Sequence, residues 1–395
     1  MNYRALYKIN SLLISIIFLG AIFTSLILGI VDQDSEISRT EKRALASFPP
    51  IELRGGSIKR FPGLFDDYYA DHFGGREWLS SAYRRIKLAL GDSPSQDVTF
   101  GKDGWLFLGS IRNGYDNYNN PMGDARNADL YSDEDLQYVT AYMSKLKQWL
   151  NGQGIQYMFV LLPNKHTIYP EYLPDYLKKV TPYSSADQLV NYIRNNTDVN
   201  VVDVRQRLLE SKQGHRLYSV SDTHWNHYAA NLAQYEIFQA LQTVFPNQIE
   251  PQYYELASGV QKFGGDLAGM IGERESYEEL APNPVFKKGC KPVKQPKNAE
   301  ETDIHTVTCD TAELKVLIFR DSFFNFLKPY FSRQFSRITY VWGVLDYEIL
   351  KQQLAIEKPD LVIEEIVERK LPYIPDPIRE LNLMKQVDNY LNMKQ

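Results

Sequence analysis

Short apolar runs alternate with amphipathic segments through most of the chain beyond residue 130. The apolar runs have the length typical of buried strands and occupy residues 155–162, 199–204, 314–319, 338–342 and 361–366. Helical spacing of apolar positions falls between them, at residues 136–150, 186–194, 228–241 and 347–355. Buried strands that alternate with helices predict an α/β domain with a mainly parallel sheet flanked by helices.

The N-terminal part of the chain has a different pattern. Residues 11–31 are almost continuously apolar and about as long as the ~20 residues that a helix needs to span a bilayer. Arg4 and Lys8 precede this run, which predicts a cytoplasmic N-terminus and an exported remainder. A cleaved signal peptide is the alternative, but the run is long for one and no small-residue cleavage site follows it. We therefore expect one transmembrane helix that remains as a signal anchor.

A polar stretch with two proline and glycine pairs follows the apolar run and is typical of a stalk. Residues 61–90 then have helical spacing, and residues 100–108 indicate a turn that leads into a strand; both are expected to form an N-terminal layer of the main domain. The expected order is a cytoplasmic segment at 1–10, the anchor at 11–31, the stalk at 32–60 and one folded domain at 61–395.

Composition and charge exclude one class of function. The 395 residues are 44% hydrophobic and 13% aromatic, which supports a substantial packed core. The formal net charge is -5 and there is no long basic run, so the sequence carries no electrostatic signature of nucleic-acid binding.

The two cysteines fit an exported domain. Cys290 and Cys309 flank a polar, lysine-rich stretch that we interpret as a surface insertion, and a disulfide between them would restrict the unfolded chain. Two buried free thiols are the alternative. The spacing of cysteines and histidines matches no zinc site, so we expect no metal.

Polar residues that directly follow the strands are the candidates for chemistry, because ligands of parallel sheets bind beyond the carboxyl ends of the strands. Ser322 follows the strand at 314–319, where a strand-to-helix turn would expose its hydroxyl beside backbone N–H groups able to stabilise an oxyanion. The alternative is that Ser322 only caps a helix. Asn164 and Lys165 follow the strand at 155–162 in the same way.

A serine nucleophile needs a base, and the segment at residues 221–227 offers one. If this segment is extended, Asp222 and His224 project from one face, so that the carboxylate can orient the imidazole. The alternative is a polar turn before a helix, with Asp222 or Asn226 as the cap and Trp225 in the core.

Several motifs, in order, resemble the AlgJ/AlgX-type alginate O-acetyltransferase family, whose catalytic domain is SGNH-hydrolase-like with a permuted motif order. The motifs in this chain are at residues 41–45, 101–107, 163–165, 168–170, 222–225, 265–268 and 321–323. The resemblance covers residues 41–368. It implies that Ser322 is the nucleophile, His224 the base and Asp222 the acid that orients it.

The resemblance also implies an activity and its partners. A membrane-anchored enzyme would transfer acetyl groups to hydroxyls of an exported polysaccharide through an acetyl-serine intermediate, on the periplasmic side of a bacterial inner membrane. It would bind no cofactor, because a membrane-bound O-acyltransferase partner would supply the acetyl group. Two alternatives remain open: an acetyl-polysaccharide esterase with the same triad, and a noncatalytic polysaccharide-binding scaffold of a secretion complex.

Four more residues are candidate substrate contacts. Lys165 would face the acetyl group or sugar, or pair with a surface carboxylate, and Asn164 would donate to the oxyanion. Arg320, which stands where SGNH-type enzymes commonly have glycine, would position the donor or Asp321, or be structural. Trp225 would line the site or pack in the core.

Overall fold

The computed structural model divides the chain into two compact units, residues 1–94 and residues 95–395. It describes residues 9–20, 23–24, 45–50, 57–109, 120–277, 279–287, 290–295, 303–374, 385 and 387–388. The division falls at Pro94 and Ser95, whereas the sequence placed the start of the main domain at residue 61. Helical spacing reveals that a segment forms helices, but it does not reveal which core they join.

The first unit contains helices α1 (Ser57–Asp71) and α2 (Arg76–Ala89). Gly75, with φ 78°, precedes α2 and separates the two helices, so the predicted helical region at 61–90 is broken. The last residues of the predicted stalk already belong to α1, and its other described positions, 45–50, have no regular structure.

The predicted anchor lies partly outside the described residues. Residues 11–20, 23 and 24 are helical, and the remaining positions of the 11–31 segment are not described. Within the described ranges, no helix combines the length and apolar composition that crossing a membrane requires.

The second unit is built on a seven-stranded sheet. The strands of this unit are β1 (Val98–Phe100), β2 (Leu106–Leu108), β3 (Gln156–Leu162), β4 (Asn200–Asp203), β5 (Glu255–Phe263), β6 (Glu279–Val285), β7 (Val293–Lys294), β8 (Ile304–Thr308), β9 (Lys315–Arg320), β10 (Arg337–Trp342) and β11 (Leu361–Val367). The sheet order is β4-β3-β11-β9-β10-β8-β7, and the first five of these strands are parallel. This confirms the α/β fold and all five strands predicted from apolar runs.

The helices of the second unit are α3 (Pro121–Ala125), α4 (Asp133–Asn151), α5 (Lys165–Ile168), α6 (Ser185–Asn196), α7 (Arg205–Ser211), α8 (His227–Val244), α9 (Asp266–Met270), α10 (Lys328–Phe331) and α11 (Tyr347–Glu357). The cap of α4 follows its sequence, because Ser132 and Asp135 form a reciprocal capping box. Asn226 caps α8, which was one of the two caps that the sequence allowed.

Two hydrophobic cores lie on the two faces of the sheet. In β3, Met158 and Val160 belong to one core, whereas Tyr157 and Phe159 belong to the other, because side chains alternate along a strand. Helix α8 packs on the first face, and α4, α6 and α11 pack on the second. The central strands are therefore buried on both sides, and their carboxyl ends form the polar edge that carries the candidate site.

The segment between the cysteines is more than a surface insertion. It contributes β7 and β8, which extend the sheet with antiparallel pairing beyond β10. A disulfide joins Cys290 and Cys309, with 5.7 Å between their Cα atoms, and both residues are buried. The sequence did not indicate these strands because they are short and contain few apolar residues.

Candidate active site

Ser322 lies at the carboxyl end of β9, at the start of a 3-10 turn that spans Ser322–Phe326. Asp321 caps this turn: its Oδ1 accepts the N–H of Phe323 at 2.8 Å, and its Oδ2 accepts the N–H of Val367 at 3.1 Å. Because Asp321 is the cap, the Ser322 hydroxyl is not needed for capping. The hydrogen bond to Asp321 Oδ1 occupies the N–H of Phe323. This N–H is one of the backbone donors at the start of the turn that were expected, from the sequence, to stabilise an oxyanion.

Asp222 and His224 lie in a turn rather than on an extended strand. An isolated antiparallel bridge between Tyr218 and Trp225 closes this turn. Asp222 Oδ1 accepts the backbone N–H of His224 at 2.8 Å and lies 2.9 Å from His224 Nδ1. An ionised carboxylate only accepts, so Nδ1 carries the proton and donates it to Asp222. The acid and the imidazole therefore meet, but through a folded-back carboxylate instead of a shared strand face.

The other ring nitrogen of His224 faces the serine. His224 Nε2 lies 2.7 Å from Ser322 Oγ. With Nδ1 protonated, Nε2 is the acceptor and the serine hydroxyl donates. The His224 side chain is 21% exposed, so the imidazole is sheltered without being sealed from solvent. The structure thus joins the three residues selected from the sequence in one hydrogen-bonded chain.

Asp266, at the start of α9, is a second carboxylate at this histidine that sequence reasoning did not select. Its Oδ1 accepts the N–H of Thr223 at 2.7 Å, and its own N–H donates to Asp222 Oδ2 at 3.2 Å. Its Oδ2 lies 3.6 Å from His224 Nδ1. Asp266 therefore supports the turn that contains Asp222 and His224 through two hydrogen bonds. The only sequence signal for this role is its position directly after Gly265 in the motif at residues 265–268.

The pKa values of the two carboxylates are shifted in opposite directions. Burial raises the pKa of Asp222, but the hydrogen bond and charge of His224 lower it more, so its pKa lies below the ordinary value. Burial, followed by the negative charge of Asp222, raises the pKa of Asp266. Asp222 is consequently the carboxylate that stays ionised beside the imidazole.

A cation would compete with this arrangement. Asp222, His224 and Asp266 each offer one ligand atom, and these atoms lie within 4.8 Å of one another. The histidine atom that faces both carboxylates is Nδ1, which already donates to Asp222. A metal bound there would have to displace the proton that orients the ring toward Ser322.

Gly265 allows the two loops to approach. A Cβ at this position would lie 2.0 Å from the carbonyl oxygen of Ser221 and 2.5 Å from the backbone nitrogen of Asp222. The N–H of Gly265 also donates to Ser221 Oγ at 3.1 Å. Glycine is required here because backbone packs directly against backbone.

Lys165 is buried, and all three N–H groups of its side chain donate to backbone carbonyl oxygens rather than to a surface carboxylate. It is 2% exposed, and its Nζ donates to the carbonyl oxygens of Leu106 at 2.7 Å, Val220 at 2.8 Å and Asp222 at 3.1 Å. Burial lowers the pKa of Lys165 to about 7. The ammonium group ties β2 and the Asp222 turn to the end of β3, so both alternatives derived from the sequence are corrected.

Asn164, expected from the sequence as an oxyanion donor, is also buried and bonded to other side chains. It is 1% exposed; its Nδ2 donates to Asp124, and its Oδ1 accepts from Arg369 at 3.0 Å. The backbone N–H of Asn164 donates to Glu368 at 2.7 Å. The amide therefore belongs to a buried network of charged groups at the ends of β3 and β11.

Arg320 and Trp225 are structural in their contacts. Arg320 is 6% exposed; its guanidinium lies 4.5 Å from the ring centre of Trp342 and donates to the carbonyl oxygen of Asp321 at 3.3 Å. Trp225 is 1% exposed and its indole N–H donates to the carbonyl oxygen of Phe323 at 3.1 Å. Of the two alternatives, Trp225 takes the core position, and Arg320 supports the turn that begins at Ser322.

The parallel sheet, with a serine, a histidine and a carboxylate joined beyond its strand ends, defines an SGNH-hydrolase-like α/β domain. Residues 98–368 match the family described as SGNH hydrolase-like domain, acetyltransferase AlgX, which is more than half of the chain. The chain belongs to this family, as the ordered motifs indicated.

Curated relatives carry the name probable alginate O-acetylase AlgJ. The protein from Pseudomonas fluorescens is 22% identical over 225 residues, which cover 56% of this chain and 53% of that protein. The protein from Pseudomonas aeruginosa is 20% identical over 254 residues, covering 59% of this chain and 60% of that protein. The chain therefore spans little more than half the length of these curated relatives.

Two solved structures are also similar. Bacillus cereus PatB1 gives a TM-score of 0.49 at 14% identity, over 70% of this chain and 96% of that one. The O-acetyltransferase domain of Pseudomonas putida AlgJ gives a TM-score of 0.47 at 20% identity, over 74% of this chain and 99% of that one.

Proposed function

We propose that this protein is a membrane-anchored O-acetyltransferase that moves acetyl groups to hydroxyls of an exported polysaccharide through an acetyl-Ser322 intermediate. The 2.7 Å contact between His224 Nε2 and Ser322 Oγ carries the proposal, because it places a base on a serine that would otherwise be a weak nucleophile. Membership of the acetyltransferase AlgX family and similarity to proteins named alginate O-acetylases support an acetyl donor and a glycan acceptor.

The first half-reaction forms the acetyl-enzyme. His224 Nε2 takes the hydroxyl proton while Ser322 Oγ attacks the acetyl carbonyl carbon, and the donor group leaves with that proton from His224. Asp222 stabilises the imidazolium that forms in between, through the Nδ1 contact at 2.9 Å. The lowered pKa of Asp222 keeps this carboxylate charged at neutral pH.

The second half-reaction transfers the acetyl group. A sugar hydroxyl gives its proton to His224 Nε2 and attacks the acetyl carbonyl, and Ser322 Oγ recovers a proton as the ester bond to serine breaks. Water is the competing acceptor, and its use would make the protein an acetyl-polysaccharide esterase. A noncatalytic scaffold would need neither half-reaction.

The anchor and the donor complete the proposal. The apolar segment at residues 11–31 would hold the domain on the periplasmic face of a bacterial inner membrane. A membrane-bound O-acyltransferase would then present the acetyl group to Ser322, and no cofactor would be bound by this chain.

The test is an acetyl-transfer assay on the full chain with a chromogenic acetyl ester, with and without oligosaccharides. We expect acetylated oligosaccharide in the wild type, none with Ser322→Ala, and unchanged yield with Ser211→Ala, which alters a serine at the end of α7. Ester cleavage that needs Ser322 but never yields acetylated sugar would favour the esterase. Equal transfer by Ser322→Ala would contradict both enzymatic proposals.

A further inference from the structure

A basic groove lies on the sheet edge formed by β7, β8 and β10, beside helix α10. Its volume is about 370 Å³, and its polar lining comes from Lys294, His305, Lys328, Ser332, Arg333 and Tyr340. Helix α10 follows the 3-10 turn that begins at Ser322, so the groove is built partly from the segment that carries the serine. Asp222, His224 and Ser322 do not line this groove.

The charge of the groove is of one sign. Lys294, Lys328 and Arg333 line it, and the lining residues include no carboxylate within the described part of the chain. These three cations also form no ion pair with any described residue. Three positive side chains around one concavity, with no anion from the protein itself, leave a net positive field that a ligand can neutralise.

Lys328 is the most informative of the three. Its Nζ lies 5.1 Å from the ring centre of Tyr340, in a half-buried position. Burial, followed by repulsion from Arg320 and Lys294, lowers the pKa of Lys328 to about 7. An anion in the groove would oppose both effects, because it would offset the lost hydration and screen the neighbouring cations.

The other walls are held in place by internal contacts. The guanidinium of Arg333 lies 3.7 Å from the ring centre of Phe286 and donates to the carbonyl oxygen of Pro329 at 2.7 Å. Ser332 Oγ and Tyr340 Oη are 3.0 Å apart. The rings of His305 and Tyr340 stack at 5.0 Å.

The disulfide fixes the strand that brings Lys294. Cys290 Sγ lies 4.0 Å from the carbonyl oxygen of Ser332, and Cys309 Sγ lies 3.8 Å from that of Arg333. The bridge therefore packs against the backbone of two groove residues, while β7 pairs with β8. The cationic groups are presented by ordered elements rather than by a free surface loop.

We propose that this groove is an oxyanion-binding site in which Lys294, Lys328 and Arg333 surround a carboxylate or a phosphate ester group. Ammonium and guanidinium groups form charge-assisted hydrogen bonds with either kind of oxyanion. The hydroxyls of Ser332 and Tyr340 are bonded to each other, so this pair adds one neutral donor. The site goes beyond acetyl transfer, because it uses none of the residues proposed for that reaction.

Calorimetric titration of the full chain tests the site, with sodium chloride added to keep the ionic strength constant. One arm uses inorganic phosphate and the other uses glucuronate, at pH 6.5. We expect saturable binding in at least one arm; phosphate alone would indicate a phosphate ester ligand, and glucuronate alone a carboxylate. Because one charge-assisted contact is lost, Lys328→Met should weaken binding roughly tenfold to a hundredfold.

Matched variants separate the site from general effects. Lys328→Arg keeps the charge and should retain binding, and Lys351→Met, an exposed lysine of α11, should bind like the wild type. Sulfate keeps its charge across neutral pH, so its binding should weaken more in the wild type than in Lys328→Arg as pH rises from 6 to 8.5 and Lys328 loses its proton. The other charged or titratable groups around Lys328, which are Lys294, His305, Arg320, Arg333 and Tyr340, are the same in both proteins. Titrations without saturation in both arms, or equal affinity in Lys328→Met and wild type, would overturn the proposal. Because binding is measured without acetyl transfer, this result is independent of the proposed enzymatic function.

Discussion

His224 Nε2 and Ser322 Oγ lie 2.7 Å apart although 98 positions separate the two residues in the chain. The histidine comes from a turn before α8 and the serine from the end of β9. The contact therefore exists only because the fold brings the two segments to one edge of the sheet. The first three predictions below concern groups that make this contact or support it, and the fourth concerns the pH dependence of stability.

Replacing the histidine removes the base and leaves the pocket filled. His224→Gln should lower kcat/KM for acetyl transfer about 10²–10⁴-fold, because general-base assistance is lost. His215→Gln is the matched control, since His215 stacks on Tyr228 at 4.2 Å and lies outside the hydrogen-bonded chain. Steady-state assays with an acetyl ester and an oligosaccharide measure the effect. Similar rates in the two variants would remove His224 from the mechanism.

Replacing the buried lysine tests the support of the Asp222 turn. Lys165→Met removes the side-chain donor from the carbonyl oxygens of Leu106, Val220 and Asp222, of which Val220 still accepts the backbone N–H of Leu106. The loss should lower the free energy of unfolding by about 1–3 kcal/mol. We also expect kcat to fall more than KM rises, because the turn positions the base rather than the substrate. Urea unfolding and kinetics measure both effects, with the exposed Lys178→Met as control. An active, equally stable Lys165→Met protein would show that the turn does not need this support.

Adding one methyl group at Gly265 should disturb the same turn from the other side. In Gly265→Ala the Cβ would meet the Ser221 carbonyl oxygen at 2.0 Å, so the loops must separate, at about 1–3 kcal/mol of unfolding free energy. At Gly214 the nearest atom to an added Cβ is 3.6 Å away, and Gly214→Ala should change stability by less than about 0.5 kcal/mol. Thermal unfolding of the two variants compares them directly, and equal unfolding temperatures would be inconsistent with the close approach.

Glu368 predicts a pH dependence of stability. Burial, followed by the charge of Asp124, raises the pKa of Glu368 from 4.5 to about 8. A raised pKa in the folded state gives stability that is fully present below pH 4.5 and is lost as pH rises through 8. Glu368→Gln stays neutral, so its unfolding temperature should fall less than that of the wild type between pH 5 and pH 8.5. Calorimetric scans across this range measure the difference, and parallel curves would contradict the prediction.

The sequence was sufficient for the parallel part of the sheet and for the residues of the hydrogen-bonded chain. Strands buried on both faces are continuous apolar runs, and this is why β3, β9 and β11 were visible without a structure. Ser322, His224 and Asp222 are residue types with characteristic chemistry in motifs that resemble a known family. Local caps such as Ser132 also follow from a few neighbouring positions.

The environments that the sequence could not predict depend on contacts between segments that are far apart in the chain. Lys165 follows a strand in the sequence, but the three carbonyl groups that surround it come from β2 and the Asp222 turn. The role of Asp266 likewise depends on Gly265 packing against Ser221. Neither environment leaves a periodic pattern, so reasoning from residue type placed Lys165 at the substrate or beside a surface carboxylate and gave Asp266 no role.

Whether Ser322 becomes acetylated is the most direct test of the proposed mechanism. The full chain is incubated with an acetyl ester, quenched in acid, digested and mapped by mass spectrometry. We expect the mass of one acetyl group on the peptide that contains Ser322 in the wild type, its loss when an acceptor oligosaccharide is added, and its absence in Ser322→Ala. Acetyl transfer to oligosaccharide by a wild-type protein whose Ser322 never carries acetyl, even after rapid quenching, would contradict the central claim.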